Sequence, residues 1–147
     1  MPRMTGKNAA RVPLLNRELG ILAFNRRVLA QAADESVPLL ERLRFLTIVS
    51  SNLDEFFEIR VAGIKEQIKL GITDPGPDGM TPKETLAIVT REARELVTRQ
   101  FDLLNDVLLP QLASAGIQFL RRGTWNDAQR AWVHDYFKRE VLPVLTP

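Results

Sequence analysis

The chain of 147 residues has no cysteine, a single histidine and no long uninterrupted apolar run. Without cysteine, neither a disulfide nor a thiolate metal site can form, which fits a reducing compartment. No run approaches the roughly 18–20 apolar residues that a membrane-spanning helix needs, so we expect no transmembrane segment. The basic opening, MPRMTGKNAARV, is not followed by the apolar segment of a signal peptide. We therefore expect residues 1–13 to form a flexible basic arm and the protein to be cytoplasmic.

Charge is nearly balanced, with 20 Lys and Arg against 18 Asp and Glu, and hydrophobic residues make up 45% of the chain. This apolar fraction is ordinary for a soluble globular protein and is enough for a core. The net charge of +2 is far below that of a nucleic-acid-binding tail, so nucleic acid is not an expected partner. The sequence also lacks a Gly-rich phosphate loop of either common type.

Hydrophobic periodicity predicts three helices in the first half of the chain, over residues of about 16–33, 38–50 and 51–70. A short Ser-Ser-Asn break separates the second helix from the third. We expect Arg42 to face outward from the second helix and Phe57 to lie in the buried stripe of the third.

A strong helix start follows the loop at residues 74–82. Thr81 is a good cap, Pro82 suits the first helical position and Glu84 can complete a capping box. The apolar pattern then predicts one long helix to Leu108, which the proline at position 110 should kink or end.

The character of the sequence changes after Gly116. Residues 117–120 are short, apolar and alternating, which predicts a strand. A helix capped by Thr124 should follow, and the final VLPVLTP looks extended. We therefore expect a mainly α protein, with an antiparallel helical bundle over residues 14–116. The first strand and helix of an incomplete α/β domain should occupy residues 117–147, as the truncated beginning of a second domain.

Few residues could carry chemistry. His134 is the only histidine, and neither a His-pair metal site nor a Ser-His-Asp arrangement can be assembled around it. Asp54 and Glu55 would point roughly 100° apart on a helix, so they would not converge on one ion. They are better explained as acids that stabilise a first helical turn. We expect no catalytic residue and no metal ligand in this chain.

Asn52 allows two interpretations. If it caps the third helix, Glu55 completes a capping box and the carboxamide is committed to the backbone. If Ser51 caps instead, Asp54 takes the third position and the carboxamide of Asn52 is free. A free carboxamide offers both a donor and an acceptor, which suits the edge of an adenine. The residue pattern alone favours capping.

The other candidates have simpler explanations. Phe56 and Phe57 are more typical of a core than of a platform for stacking bases. Five arginines could line a path for a polyanion, but as scattered helix-surface charges they more often solvate a face or form weak ion pairs. These arginines are Arg26, Arg27, Arg42, Arg44 and Arg60.

Three segments resemble the opening of the long bacterial polyphosphate kinases. They are NRELGILAFNRRVL (16–29), ADESVPLLERLRFLTIVSSNLDEFFEIRVAGIKEQ (33–67) and WNDAQRAWVHDYFKREVLPVLTP (125–147). The resemblance implies an enzyme that reversibly transfers the terminal phosphate of ATP to inorganic polyphosphate, through a phosphohistidine and with Mg²⁺. It also implies that the N-terminal helical domain supplies part of the adenine site. The family's nucleotide-contacting asparagine matches Asn52, which reverses the preference above and makes Ser51 the cap.

The resemblance further implies that the phosphorylated histidine and the Mg²⁺ ligands lie outside this chain, so His134 does not inherit their role. The implied partners are ATP, inorganic polyphosphate, the remaining domains of the same enzyme and a second copy of the parent, with the dimerisation-type domain beginning near Ile117. Membrane association of the parent is left open. One departure is Gly20-Ile21, where the family usually has Ser-Trp. The alternative from another class is a non-enzymatic helical module that recognises a protein partner.

Overall fold

The computed structural model describes residues 14–145, and all the regular secondary structure among them is helical. No strand occurs in that part of the chain, so the mainly α prediction is confirmed. Contacts divide the chain into two compact units, one ending at Leu108 and the other beginning at Leu109. The helices of the first unit are α1 (Arg17–Ala33), α2 (Leu39–Glu55), a π-helical segment (Phe56–Val61), α3 (Ala62–Lys69), α4 (Pro82–Asp102) and a second π-helical segment (Leu103–Leu108).

The first unit is a helical bundle in which α1 packs against both α2 and α4, while α3 packs against α4. The Asn16 side chain caps α1 by accepting a hydrogen bond from the Leu19 backbone N–H at 3.0 Å. The amphipathic pattern thus predicted this helix correctly. The core of the unit consists of Leu22, Leu29, Ala32, Leu46, Val49, Leu53, Phe56, Val61, Val89, Ala93, Leu96 and Leu108.

The predicted break between the second and third helices does not exist. The chain is helical without interruption from Leu39 to Lys69, and both Ser51 and Asn52 lie inside α2. Serine and asparagine are only weakly unfavourable inside a helix, and the buried Val49 and Leu53 continue one apolar face across them. Both capping interpretations of this junction were therefore wrong.

A π-helical turn sets which aromatic side chain enters the core. Buried positions recur at steps of three or four up to Phe56, and the next buried residue is Val61, five positions on. A π-helix closes with i→i+5 hydrogen bonds, so this longer step keeps both side chains on one face. Phe56 is 2% exposed, whereas Phe57 is 41% exposed. The prediction that Phe57 lies in the buried stripe was wrong.

Arg42 was predicted to face outward, but it is 4% exposed. Its Nε–H donates to the backbone oxygen of Ala32 at 2.8 Å. That carbonyl lies in the last turn of α1, where no later backbone N–H of the helix can donate to it. A cation is also favourable at the negative end of a helix. Arg42 therefore completes the end of α1 from the neighbouring helix.

Two helix boundaries that the sequence predicted are confirmed. The side chains of Thr81 and Glu84 form a reciprocal capping box at the start of α4, with Pro82 as its first residue. Hydrogen bonding to Thr81 lowers the pKa of Glu84 below its usual value. At the other end of the preceding loop, α3 stops before Gly71, whose φ of 76° is the left-handed conformation that glycine adopts most easily.

The second unit begins with α5 (Leu109–Ser114), which contains Pro110. The α-helical geometry already changes to π-helical geometry at Leu103, before this proline. Pro110 does not end the helical run, because helix continues beyond it to Ser114. A 3₁₀ turn (Arg122–Thr124), α6 (Asp127–Tyr136), a third π-helical segment (Phe137–Val141) and α7 (Leu142–Leu145) follow. The described part of this unit is helical where an extended tail was predicted.

Two further predictions for the second unit differ from the structure. Residues 117–120 are irregular rather than a strand, because a strand needs a hydrogen-bonded neighbour and none is present in residues 14–145. Asn126, not Thr124, caps α6, in a capping box with Gln129. The domain boundary near Ile117 stays a prediction, and the arm predicted at residues 1–13 lies outside the described residues.

The π-helical register can be tested by truncating the two adjacent phenylalanines separately. Because Phe56 is buried, we expect Phe56→Ala to lower the free energy of unfolding by about 3–5 kcal/mol. Phe57→Ala should cost roughly 1–2 kcal/mol, from partial burial and the edge-on contact with Phe56. Urea unfolding followed by far-UV circular dichroism measures both. Equal losses would contradict the register.

Gly20 offers a stabilising substitution. It lies within α1 on an exposed surface, and an added Cβ would meet no atom within 4 Å. Alanine forms helix more readily than glycine, so Gly20→Ala should raise the free energy of unfolding by about 0.5–1 kcal/mol. Thermal unfolding measures the shift. A lower melting temperature would show that the position has a requirement that the structure does not reveal.

Candidate functional site

A pocket of about 280 Å³ opens between α1 and the helical run that begins with α2. Its lining combines apolar and aromatic side chains with two carboxamides and one charged group of each sign. Such a mixture is typical of a small-molecule site, in which apolar walls supply contact area and a few polar groups fix orientation. The lining residues are Ile21, Phe24, Asn25, Asn52, Glu55, Phe56, Ile59 and Arg60.

Two asparagines meet in this pocket. The Nδ2 of Asn52 donates to the Oδ1 of Asn25 at 2.8 Å. Asn25 is fully buried, whereas Asn52 is half-buried and keeps access to the pocket. Within the part of the chain that the structure describes, the Oδ1 of Asn52 has no hydrogen-bond partner. Asn52 therefore has an acceptor and one remaining N–H available to a ligand.

Asn25 is the site residue that the sequence analysis missed. It lies on α1, three residues after the buried Leu22 and four before the buried Leu29, so it occupies an apolar position of the helix. A polar residue at such a position is the signal that could have revealed it, because a buried amide needs a partner. Its Nδ2 donates to the Ile21 backbone oxygen at 3.3 Å.

The π-helical segment adjoins the pocket and supplies three of its lining residues, Phe56, Ile59 and Arg60. The Phe56 backbone N–H is shared between the carbonyl oxygens of Asn52 and Leu53, where the α-helical pattern changes. Single π turns inside α-helices are frequent at functional sites. Here the turn combines two effects, since it buries the Phe56 ring and brings the Arg60 side chain to the same pocket.

Arg60 is the arginine that the structure places at the pocket. It is half-buried and forms no ion pair among residues 14–145. Arg26, by contrast, pairs with Glu92, and its hydrogen bond is the main reason that the pKa of Glu92 lies below its usual value. A guanidinium without an anionic partner at the edge of a pocket can bind an anionic group of a ligand.

The other candidate arginines are occupied. Arg27 lies over the ring of Phe24, with its guanidinium carbon 5.7 Å from the centroid. Arg44 forms an exposed ion pair with Glu41 at 3.7 Å, and Arg42 is bound to the end of α1. The five arginines therefore have separate roles.

The carboxylates Asp54 and Glu55 lie deep inside a continuous helical run, so the role assigned to them in a first helical turn was wrong. Glu55 lines the pocket and Asp54 is exposed outside it. His134 is exposed on α6, in the second unit. Over residues 14–145 no three His, Cys, Asp or Glu side chains come together as a metal site. No helix in the same range is long and apolar enough to cross a membrane.

The fold and the pocket define a helical domain with a candidate small-molecule site between two of its helices. Residues 14–120 match the family model described as the polyphosphate kinase N-terminal domain. The chain is therefore a member of the polyphosphate kinase N-terminal domain family.

Individual relatives agree with this family membership. The chain is 59% identical over 134 residues to the polyphosphate kinase of Neisseria meningitidis serogroup B, covering 91% of this chain and 20% of the relative. It is 58% identical over 142 residues to that of Burkholderia vietnamiensis, covering 95% and 20%. A crystal structure of the Porphyromonas gingivalis polyphosphate kinase matches with a TM-score of 0.73 and 27% identity, over 92% of this chain and 19% of that one. The chain thus spans about a fifth of these relatives.

Proposed function

We propose that this chain is the nucleotide-binding N-terminal part of a polyphosphate kinase. The whole enzyme would transfer the terminal phosphate of ATP reversibly to inorganic polyphosphate through a phosphohistidine. The pocket between α1 and α2 receives the adenine, and Asn52 contacts it. The observation that carries the proposal is the half-buried carboxamide of Asn52, which is available to a ligand inside a largely apolar pocket of a chain from this family.

The edge of adenine complements the atoms that Asn52 offers. The exocyclic N6 amino group is a donor, and the adjacent ring nitrogen N1 is an acceptor. The free Oδ1 of Asn52 can accept from the amino group while its remaining N–H donates to the ring nitrogen. This paired contact recognises one edge of the base and leaves its faces to the apolar walls of the pocket.

The rest of the pocket suits the remainder of a nucleotide. Aromatic side chains at Phe24 and Phe56 can contact a flat base, and Arg60 supplies a positive charge that could offset phosphate oxygens. Phosphoryl transfer depends mainly on positioning and charge stabilisation. A domain that holds the base can therefore contribute to the reaction while the phosphorylated histidine and the Mg²⁺ ligands lie in other domains.

The further partners in this proposal are inorganic polyphosphate, the remaining domains of the enzyme and a second copy of it. A cytoplasmic location, with membrane association of the parent left open, belongs to the same proposal. The rival function is a non-enzymatic module that binds a protein partner. Exposed aromatic side chains in the second unit, among them Trp132 and Phe137, are the observation that favours the rival.

Asn52→Asp in the full-length enzyme separates the two functions. The substitution replaces the amide nitrogen of Asn52, which donates to Asn25 and can donate to the base, by an oxygen, and it adds a charge beside the base, which should cost roughly 1–3 kcal/mol of binding. We expect the KM for ATP to rise about tenfold or more, with a smaller change in kcat. Steady-state kinetics with polyphosphate at saturation measures both constants.

Asn105→Asp is a matched control, because it makes the same chemical change at an exposed helical position outside the pocket. It should leave the KM for ATP within about twofold, since exposed single charges have small effects. An unchanged KM in the Asn52→Asp enzyme would contradict adenine binding at this residue and would favour the protein-binding module.

The chain by itself should lack kinase activity, because its described residues provide neither a nucleophilic histidine in the pocket nor a metal-binding cluster. Incubation of the purified chain with ATP labelled in the terminal phosphate, Mg²⁺ and a polyphosphate primer should give no labelled polymer. The full-length enzyme serves as the positive control. Robust incorporation by the chain alone would refute the assignment of chemistry to other domains.

A further inference from the structure

The fully buried Asn25 has a cost that the fold alone does not explain. Asparagine is a poorer helix former than leucine, and burying its amide is unfavourable unless both ends are hydrogen-bonded. Apart from the carbonyl of Ile21, one turn earlier in its own helix, its side chain has one hydrogen-bond partner among residues 14–145, the side chain of Asn52. An apolar side chain would fill the same place among Leu22 and Leu29 without this requirement. The amide of Asn25 is therefore explained by what it does to Asn52.

The hydrogen bonds fix the direction of both carboxamides. A backbone carbonyl can only accept, so the side chain of Asn25 must turn its Nδ2 toward Ile21. The Oδ1 of Asn25 then faces Asn52, which must donate a hydrogen bond from its own Nδ2. Rotation of the Asn52 amide by 180° would bring two oxygens together inside a buried contact, which is unfavourable. The carbonyl of Ile21 thereby determines which atoms Asn52 presents to the pocket.

We propose that Asn25 is a positioning residue that makes the pocket select a base with an amino group rather than a carbonyl oxygen at position 6. It does so by holding the Oδ1 of Asn52 toward the ligand. This inference rests on the proposed function, in which Asn52 contacts the base of ATP.

The selection follows from the two possible orientations of Asn52. With its Oδ1 presented, Asn52 matches adenine, whose position 6 carries a donor. Hypoxanthine, the base of ITP, has an oxygen at position 6 and a proton on N1. The Oδ1 of Asn52 would then face an oxygen, and its N–H would face an N–H, so both contacts become mismatched. A carboxamide free to rotate would reverse its donor and acceptor and match hypoxanthine equally well. The discrimination therefore depends on the fixed orientation, and not on the presence of an asparagine at position 52.

ATP and ITP are the probes for this inference, because they differ only at the edge that Asn52 contacts. In the full-length enzyme, kcat/KM for ATP should exceed that for ITP by about tenfold or more, the range that one well-placed pair of hydrogen bonds provides. Asn25→Leu removes the acceptor and is close in size. We expect the ATP-to-ITP ratio to fall to within about threefold of unity, through a higher KM for ATP and a lower KM for ITP.

Asn25→Asp is the matched control, because the aspartate side chain has the same shape as asparagine. Its Oδ1 can accept the hydrogen bond from Asn52 whether or not the carboxyl group is ionised. It should retain most of the preference for ATP, even if its stability decreases. A merely structural role would move stability without moving the ratio between two bases. Far-UV circular dichroism and the KM for polyphosphate report whether each variant is folded. If the leucine variant does not fold, Asn25→Ala, which leaves room for water beside Asn52, takes its place.

The outcomes separate this inference from the proposed function. A folded, active Asn25→Leu enzyme with the parental ratio would overturn the role of Asn25, and so would an Asn25→Asp enzyme that has lost its preference for ATP. If the Asn52→Asp enzyme keeps the parental KM for ATP, the proposed function itself fails. If Asn52→Asp raises that KM and Asn25→Leu leaves the ratio unchanged, only the present inference fails.

Discussion

The hydrogen bond between Asn52 and Asn25 connects the two helices that form the candidate site, and the site depends on it. It is a polar contact at the edge of an apolar core, where α1 meets α2. An amide pair in such a place is directional, whereas the surrounding aliphatic contacts are not. The helices could pack with apolar residues at both positions, but they would then present no defined polar edge to a ligand. The core thus provides stability, and the amide pair provides orientation.

Much of the bundle could be predicted because its helix ends carry local signals. Two of these signals are the capping box of Thr81 and Glu84 and the helix stop at Gly71. Each involves residues close together in the chain, so the sequence alone is enough to predict it. The break expected at Ser51 and Asn52 used the same kind of signal and was wrong. Polar residues weaken a helix by only tenths of a kcal/mol, roughly, and a continuous buried face on both sides outweighs them.

The remaining errors involve contacts between distant residues. The pattern of its own helix predicts that Arg42 is a surface charge. Its burial is explained by its hydrogen bond to the backbone oxygen of Ala32 at the end of α1. Phe56 and Phe57 are both apolar, so periodicity cannot decide between them without knowing the local hydrogen-bond pattern. Asn52 was selected by resemblance. Asn25 was missed, because its apolar position in α1 indicates burial but no pattern within one helix identifies Asn52 as its partner. The residues of the site were thus partly predictable, but the geometry that joins them was not.

The π turn at Phe56–Val61 has a consequence for how the domain can change over evolutionary time. It amounts to one extra residue in an otherwise regular helix, and each residue of an α-helix turns the chain by about 100°. Deleting one residue there would leave Phe56 and Val61 four positions apart, so a regular α-helix would keep them, Ile64 and the rest of α3 on the same face. A lineage could therefore remodel the ligand pocket by insertion or deletion at this turn while α3 keeps its packing against α4.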